Sequence, residues 1–261
     1  KVDGPRLLAA GIGMKGSHGA GHIGMPHCGA GEIRHTCREN LKKGADLLKL
    51  FITPGVPDPA STFVPSFLSP EEISAAVSEG ARLGIPTAAH CIGGQGLKDC
   101  IDGGVDVIEH MYMASEQDVE RLAASRCVVD LTSGIFLDPS REEFLSPANA
   151  LKVRLNRSRV RENVARIIKA RLPFVLGTDA YHGFLYREVG YAVELGADPV
   201  TAIQGVTSRA ARVCRLEDRI GKLENGMEAD IIAVEGNPLE DVSRLSQVGL
   251  VMKGGVVYRQ P

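Results

Sequence analysis

Two junctions of the same form dictate the architecture of this chain. Gly44-Ala45-Asp46-Leu47-Leu48 and Gly104-Val105-Asp106-Val107-Ile108 each set a glycine directly before an apolar run. A glycine there can close a helix in the left-handed conformation and release the chain into a strand. Gly84-Ile85-Pro86 does the same before Thr87-Ala88-Ala89-His90. Continuously apolar runs at 6–11, 46–52, 86–91, 106–110, 127–131 and 174–178 predict six strands buried on both faces. Amphipathic stretches at 32–43, 70–83, 96–102, 115–124, 151–171, 187–195 and 199–216 predict helices. Strand and helix in alternation imply parallel strands joined by crossover helices, an α/β fold. From about residue 220 the pattern changes to short strands at 221–223, 229–235, 250–253 and 256–258, broken by Gly236-Asn237-Pro238 and Gly254-Gly255. This tail predicts a small β-element set apart from the α/β body.

Charge limits the partners. Lys and Arg number 30 against 32 Asp and Glu, a net charge of −2. That balance excludes a surface built for nucleic acid or for anionic lipid. No apolar run reaches the roughly 18 residues a membrane span requires. The six cysteines show no Cys-x-x-Cys spacing and read as reduced, packed thiols of a cytoplasmic protein. The stretch 152–171 carries eight basic residues against one acid, Glu162. Leu151, Leu155, Val160, Val164, Ile167 and Ile168 give it an apolar stripe, so it reads as an outer helix rather than a nucleic-acid surface. Within the Gly-rich segment 13–31, no Gly-x-Gly-x-x-Gly follows a strand and opens a helix, which excludes a phosphate cradle.

Four of the predicted strands carry residues foreign to an apolar core: Lys49, His90, His110 and Asp179. They lie 41, 20 and 69 residues apart. An eight-unit barrel averages roughly 31 residues per strand–helix unit, so the gaps fit one, one and two units. Parallel barrel strands end at one face, where sites of that fold lie. An ammonium among Leu and Phe is costly unless paired or chemically changed. Reaction of the neutral Lys49 amine with carbon dioxide would give an anionic carbamate able to bridge two metal ions. Two imidazoles and a carboxylate suit zinc or another borderline metal. A hydroxide on that metal would attack an amide carbonyl, and Asp179 would carry the proton to the leaving group. Each residue alone has an ordinary reading: a hydrogen-bonded core histidine, a lysine reaching outward from a strand end, or an aspartate opening a turn. Cys91, next to His90, points the other way on its strand and is packed rather than nucleophilic.

Gly44-Ala45-Asp46 with Lys49, Ala89-His90-Cys91, Ile108-Glu109-His110 and Leu176-Gly177-Thr178-Asp179-Ala180 resemble motifs of the amidohydrolase superfamily. The branch they resemble holds imidazolonepropionase-related enzymes and Xaa-Pro dipeptidases with a carboxylated lysine. Thr207-Ser208-Arg209-Ala210-Ala211, Asp218-Arg219-Ile220-Gly221, Gly226-Met227-Glu228-Ala229-Asp230-Ile231-Ile232, Gly236-Asn237-Pro238-Leu239 and Val251-Met252-Lys253-Gly254-Gly255 extend the likeness over nearly the whole chain. The resemblance implies Lys49 as the carboxylated bridge, and His90 and His110 as ligands of the more exposed metal. It implies Asp179 as a ligand of the buried metal and as general acid/base. It also sets His18, in a Gly-Gly-His-Gly-like segment, and His182 near the substrate. Tyr181 and Arg187 are further candidates for meeting a substrate carboxylate.

The superfamily's first strand ends in His-x-His, and this chain has none. Together with six strands where eight close a barrel, and Lys1 rather than Met at the start, the reading is an amino-terminally incomplete chain. The expectation is a (β/α)8 TIM-type barrel over 1–219 missing its first two strands, with carboxyl-terminal strands of a small β-sandwich over 220–261. Open sheet edges imply association into a homo-oligomer. The expected activity is metal-dependent hydrolysis of a dipeptide or small-molecule amide, of Xaa-Pro or acyl-amino-acid type. A cyclic amide, as for imidazolonepropionase, is the alternative. A catalytically inactive fragment or assembly subunit is the reading of a different class.

Overall fold

The computed structural model describes residues 4–19, 23–179 and 182–260, with His182 described by its backbone alone. The chain divides into two compact units between Cys127 and Val128. The first contains β1 (Met14–Gly16), β2 (Met25–His27), α1 (Ala30–Lys42), β3 (Leu48–Phe51), α2 (Pro70–Ala81), β4 (Thr87–Cys91), α3 (Gln95–Asp102), β5 (Val107–His110) and α4 (Glu116–Ala123). Its strands run in the order β2-β1-β3-β4-β5, and every pair among them is parallel. Leu48, Leu50, Ala89 and Cys91 are wholly buried on one side of that sheet, where Ile33, Cys37, Ile73, Leu97 and Cys100 of the helices also lie in the core.

Local chemistry explains the element ends. Ser69 opens α2 as a capping box with Glu72, and Pro70 fills the first helical position. Ser115 and Asp118 repeat the box at α4. Gly44, Gly84 and Gly104 take φ of 84°, 68° and 77°, the left-handed turns that the junction motif predicts.

The second unit holds β6 (Val128–Leu131), α5 (Gly134–Leu137), α6 (Pro147–Lys169), β7 (Phe174–Leu176), α7 (Leu185–Glu194), α8 (Pro199–Gly205), α9 (Ser208–Val213), β8 (Ile231–Val234), β9 (Val248–Lys253) and β10 (Val256–Arg259). β6 and β7 are parallel, whereas β10-β9-β8 form an antiparallel sheet, as the tail pattern predicts. α6 buries Ala150, Val153, Asn156, Val160, Val164, Ile167 and Ile168.

The structure corrects the sequence reading in four places. Residues 6–11 form no strand: the Asp46 side chain accepts from the Ala9 N–H at 2.8 Å, the Asp46 N–H donates to the Ala9 carbonyl at 2.9 Å, and just beyond the segment Asn40 bridges both backbone groups of Ile12. β1 and β2 stand instead, so the six-strand count and the arithmetic of two missing strands do not hold. Leu151 and Leu155, assigned to the apolar stripe of α6, are 51% and 60% exposed, since the buried stripe begins one position earlier at Ala150. The helix expected over 199–216 is two helices, α8 and α9, parted where Thr207 leaves helical geometry at φ −128° and ψ −103°. No strand forms at 221–223.

Gly44 isolates the backbone term, because a Cβ built on it meets nothing within 4 Å. Gly44→Ala is expected to lower unfolding free energy by about 1 kcal/mol, and Gly44→Asn to recover part of that loss, in urea denaturation. Equal midpoints for all three chains would contradict the assignment.

Candidate active site

Strand register builds a polar row on one face of the first unit's sheet. Phe51 pairs with His90, and His90 with Glu109; one step back, Lys49 pairs with Ala88. Residues paired across parallel strands point the same way and alternate residues share a face, so Lys49, Phe51, His90 and Glu109 stand together. The β3 pattern obeys this: Leu48 and Leu50 are buried in the core, while Lys49 and Phe51 are half-buried on the other side.

His110 breaks the alternation. It pairs with Cys91, whose side chain lies on the opposite face, packed beside Cys100. Its backbone, however, takes φ 80°, and Met111 follows at 59°. That left-handed step swings the imidazole back, so the His90 and His110 rings meet edge to face at 4.5 Å between centroids. Tyr112, fully buried, lies 5.3 Å beyond His110.

Lys49 and Glu109 offset each other in this cluster. Lys49 Nζ donates to Glu109 Oε2 and lies 5.1 Å from the centre of the Phe51 ring. His110 Nε2 is 3.9 Å from the same carboxylate oxygen. His90 Nε2 donates to the Pro54 carbonyl at 3.0 Å, which leaves the lone pair of the neutral ring on Nδ1. Burial pushes the His90 pKa down to about 4, with the Pro54 bond opposing and the Lys49 charge adding to the fall. His110 is held well below its ordinary value by burial, then by His90 and Lys49. Two adjacent neutral imidazoles fit a borderline divalent metal such as zinc, since a ligating nitrogen must be unprotonated. As an ammonium Lys49 has no lone pair to offer that donor set, so it would have to lose a proton to join it.

His18 is exposed in the turn after β1, edge-on to Phe67 at 5.8 Å. Gly16 beside it passes so close to the Phe67 carbonyl that a Cβ would collide. Asp179 follows β7 in the second unit, exposed, with φ 49°. Arg187 pairs with Asp138 at 2.6 Å and covers the Phe184 ring at 4.4 Å, so its guanidinium already has a carboxylate. Tyr181 and the side chain of His182 lie outside the described residues.

Sequence reasoning missed two charged members of this face. Glu109 carries the same signal as Lys49, a charge inside an apolar strand, and it was detectable on that ground. Lys15 is 7% exposed and pairs in register with Phe51, which sets it on the same face. Its strand of three residues is too short to show a period.

A model of the amidohydrolase family matches residues 2–257. The ochratoxinase of Aspergillus niger is 32% identical over 248 residues, which is 89% of this chain and 50% of that protein. The imidazolonepropionase of Desulfotalea psychrophila is 25% identical over 151 residues, covering 56% of this chain and 32% of the relative. The chain thus spans half the length of the first curated relative or less. A crystal structure of a Xaa-Pro dipeptidase with methionine bound in its active site superposes with a TM-score of 0.86 at 29% identity, covering 99% of this chain and 69% of that one.

The neutral state of His90 has a measurable consequence. An unfolded histidine takes its proton near pH 6.5 and the folded one near 4, so the folded state loses ground as pH falls through that window. Unfolding free energy of the metal-stripped protein is expected to drop by roughly 3 kcal/mol between pH 6.5 and 4 on account of this one group. His90→Asn should flatten the slope. A variant whose stability falls as steeply as wild type would contradict the assignment.

Proposed function

Because the chain belongs to the amidohydrolase family, we propose that the face carrying Lys49, His90 and His110 is the metal site of an enzyme that hydrolyses amide bonds. The observation that carries this reading is the pair of buried, neutral imidazoles 4.5 Å apart beside Lys49. A bound divalent ion, zinc first, would supply Lewis acidity toward a scissile carbonyl and make a water acidic enough to serve as nucleophile at neutral pH. His90 and His110 would hold it through ring nitrogens. Lys49 would join as a carbamate: its neutral amine would add to carbon dioxide with a C–N bond formed and one proton released, and the carbamate oxygens would be the donors. Glu109 balances Lys49 while it remains an ammonium. Asp179 carries a proton on a carboxylate oxygen to the departing nitrogen.

Among substrates, the Xaa-Pro dipeptide class comes first, supported by the structural likeness over nearly the entire chain. Acyl-amino acids belong to the same reading. A cyclic amide is the second reading, supported by the imidazolonepropionase relative.

Metal content and turnover test the proposal together. The chain refolded with zinc and bicarbonate is expected to retain one or two equivalents after dialysis, and Lys49→Ala to lose at least one. Asp179→Asn should keep the equivalent held by Lys49, His90 and His110, lose any second one, and lower hydrolysis of an Xaa-Pro panel by a hundredfold or more, the lower range for a proton-transfer group. Absence of retained metal together with absence of turnover would overturn the reading in favour of a non-catalytic assembly subunit.

A further inference from the structure

The second unit contains a buried ion pair that the proposed chemistry does not use. Arg141 stands in the 3-10 turn Pro139–Phe144, and its side chain is wholly buried, as is that of Glu188 on α7. Arg141 Nη2 donates to Glu188 Oε1 at 2.8 Å. Glu188 also accepts from the Gly134 N–H at 3.0 Å, at the start of α5. A Cβ on Gly134 would run into both charged groups, so a side chain there would displace the pair. The other arm of the guanidinium, Nη1, donates to the carbonyl of Thr178 at 3.1 Å.

That last bond reaches the peptide that precedes Asp179. The Thr178 carbonyl belongs to the peptide plane whose rotation sets φ of Asp179, and that φ is left-handed at 49°. Non-glycine residues are uncommon in that region, although aspartate enters it more readily than most, so contacts on the preceding peptide bear on whether it stays there. The neighbouring Gly177 is also closely fitted, since a Cβ on it would stand 3.0 Å from the Asp130 carboxylate.

Stability alone does not call for this arrangement. A buried ion pair recovers its desolvation penalty only with near-ideal hydrogen bonding, and apolar residues of similar volume often do as well or better. What apolar residues cannot do is direct a fork of donors at a carboxylate and a backbone carbonyl at once. We infer that Arg141 and Glu188 are positioning residues: Glu188 orients the Arg141 guanidinium, which pins the Thr178 carbonyl and so fixes the turn that presents Asp179. The inference rests on the proposed role of Asp179 for its effect on turnover, but not for its effect on the turn.

Two variants and two readouts test it. Arg141→Lys keeps the charge opposite Glu188 and loses the second arm; the double substitution Arg141→Met with Glu188→Leu removes both charges while keeping volume. In hydrogen–deuterium exchange on the full chain, both are expected to speed exchange in peptides covering 174–184 by about tenfold, the lower range for a hydrogen bond to a charged group. Peptides from α6 should exchange as in wild type, which reports an intact fold. On any hydrolysed amide, kcat should fall about tenfold or more with KM within twofold. Unchanged exchange at 174–184 in the folded Arg141→Lys chain would overturn the inference. Faster exchange with unchanged kcat would uphold the pinning and remove Asp179 from the proposed chemistry, so the two failures are distinguishable.

Discussion

Parallel pairing of β3, β4 and β5 sets every distance in the candidate site. Phe51, His90 and Glu109 form one row across three strands because each faces its register partner, and Lys49 stands one step back on the same face. A slip of one residue in β4 would exchange His90 for Ala89 or Cys91 and send the imidazole to the helix-covered side. The apolar residues on that side oppose such a slip: Leu48, Leu50, Ala89 and Ile108 are wholly buried there. The site's geometry thus follows from packing on the face that carries no chemistry.

Much of this was legible beforehand. The glycine-led junctions fix where β3, β4 and β5 begin, since each glycine adopts the left-handed turn that ends a helix. Lys49, His90 and His110 stood out because charge and imidazole are anomalous in apolar strands, and the fold brings those three together. What escaped notice was short or non-local. β1 and β2 have three residues each, below the length at which alternation can be read. Residues 6–11 look like a strand by composition, yet both backbone groups of Ala9 are taken by Asp46, 37 residues away, and those of the adjoining Ile12 by the Asn40 side chain. Arg141 and Glu188 are 47 residues apart, in segments with no periodic signal connecting them.

Each unit contains a cation–carboxylate pair drawn away from water, Lys49 with Glu109 in part and Arg141 with Glu188 wholly. Exposed pairs such as Arg161 with Glu194 sit in high dielectric and add little. The withdrawn pairs differ because desolvation makes the loss of one partner far more costly than the gain from the pair itself. Such a pair fixes the place of its own atoms and of whatever they touch. The Lys49 amine is thereby held near two imidazoles, and the Thr178 carbonyl near a guanidinium.

Backbone strain separates structural from functional positions without reference to side-chain chemistry. Among the described residues, those other than glycine with positive φ are His110, Met111, Arg171, Asp179 and Arg215. Arg171 and Arg215 each stand two residues past the end of a helix, α6 and α9, where a left-handed residue ordinarily closes the last turn. No helix end accounts for the other three. His110 ends β5 and Met111 follows it, Asp179 stands three residues past β7, and two of them, His110 and Asp179, are residues that sequence reasoning selected for their chemistry alone. Alternation would have turned the His110 ring into the core, and the left-handed step at its own backbone returns it to His90. The conformational cost of that step, on the order of 1 kcal/mol or more, is borne at the position where a second imidazole is delivered. A histidine serving only as core packing needs no such step, because the face opposite is where an unstrained strand would have put it.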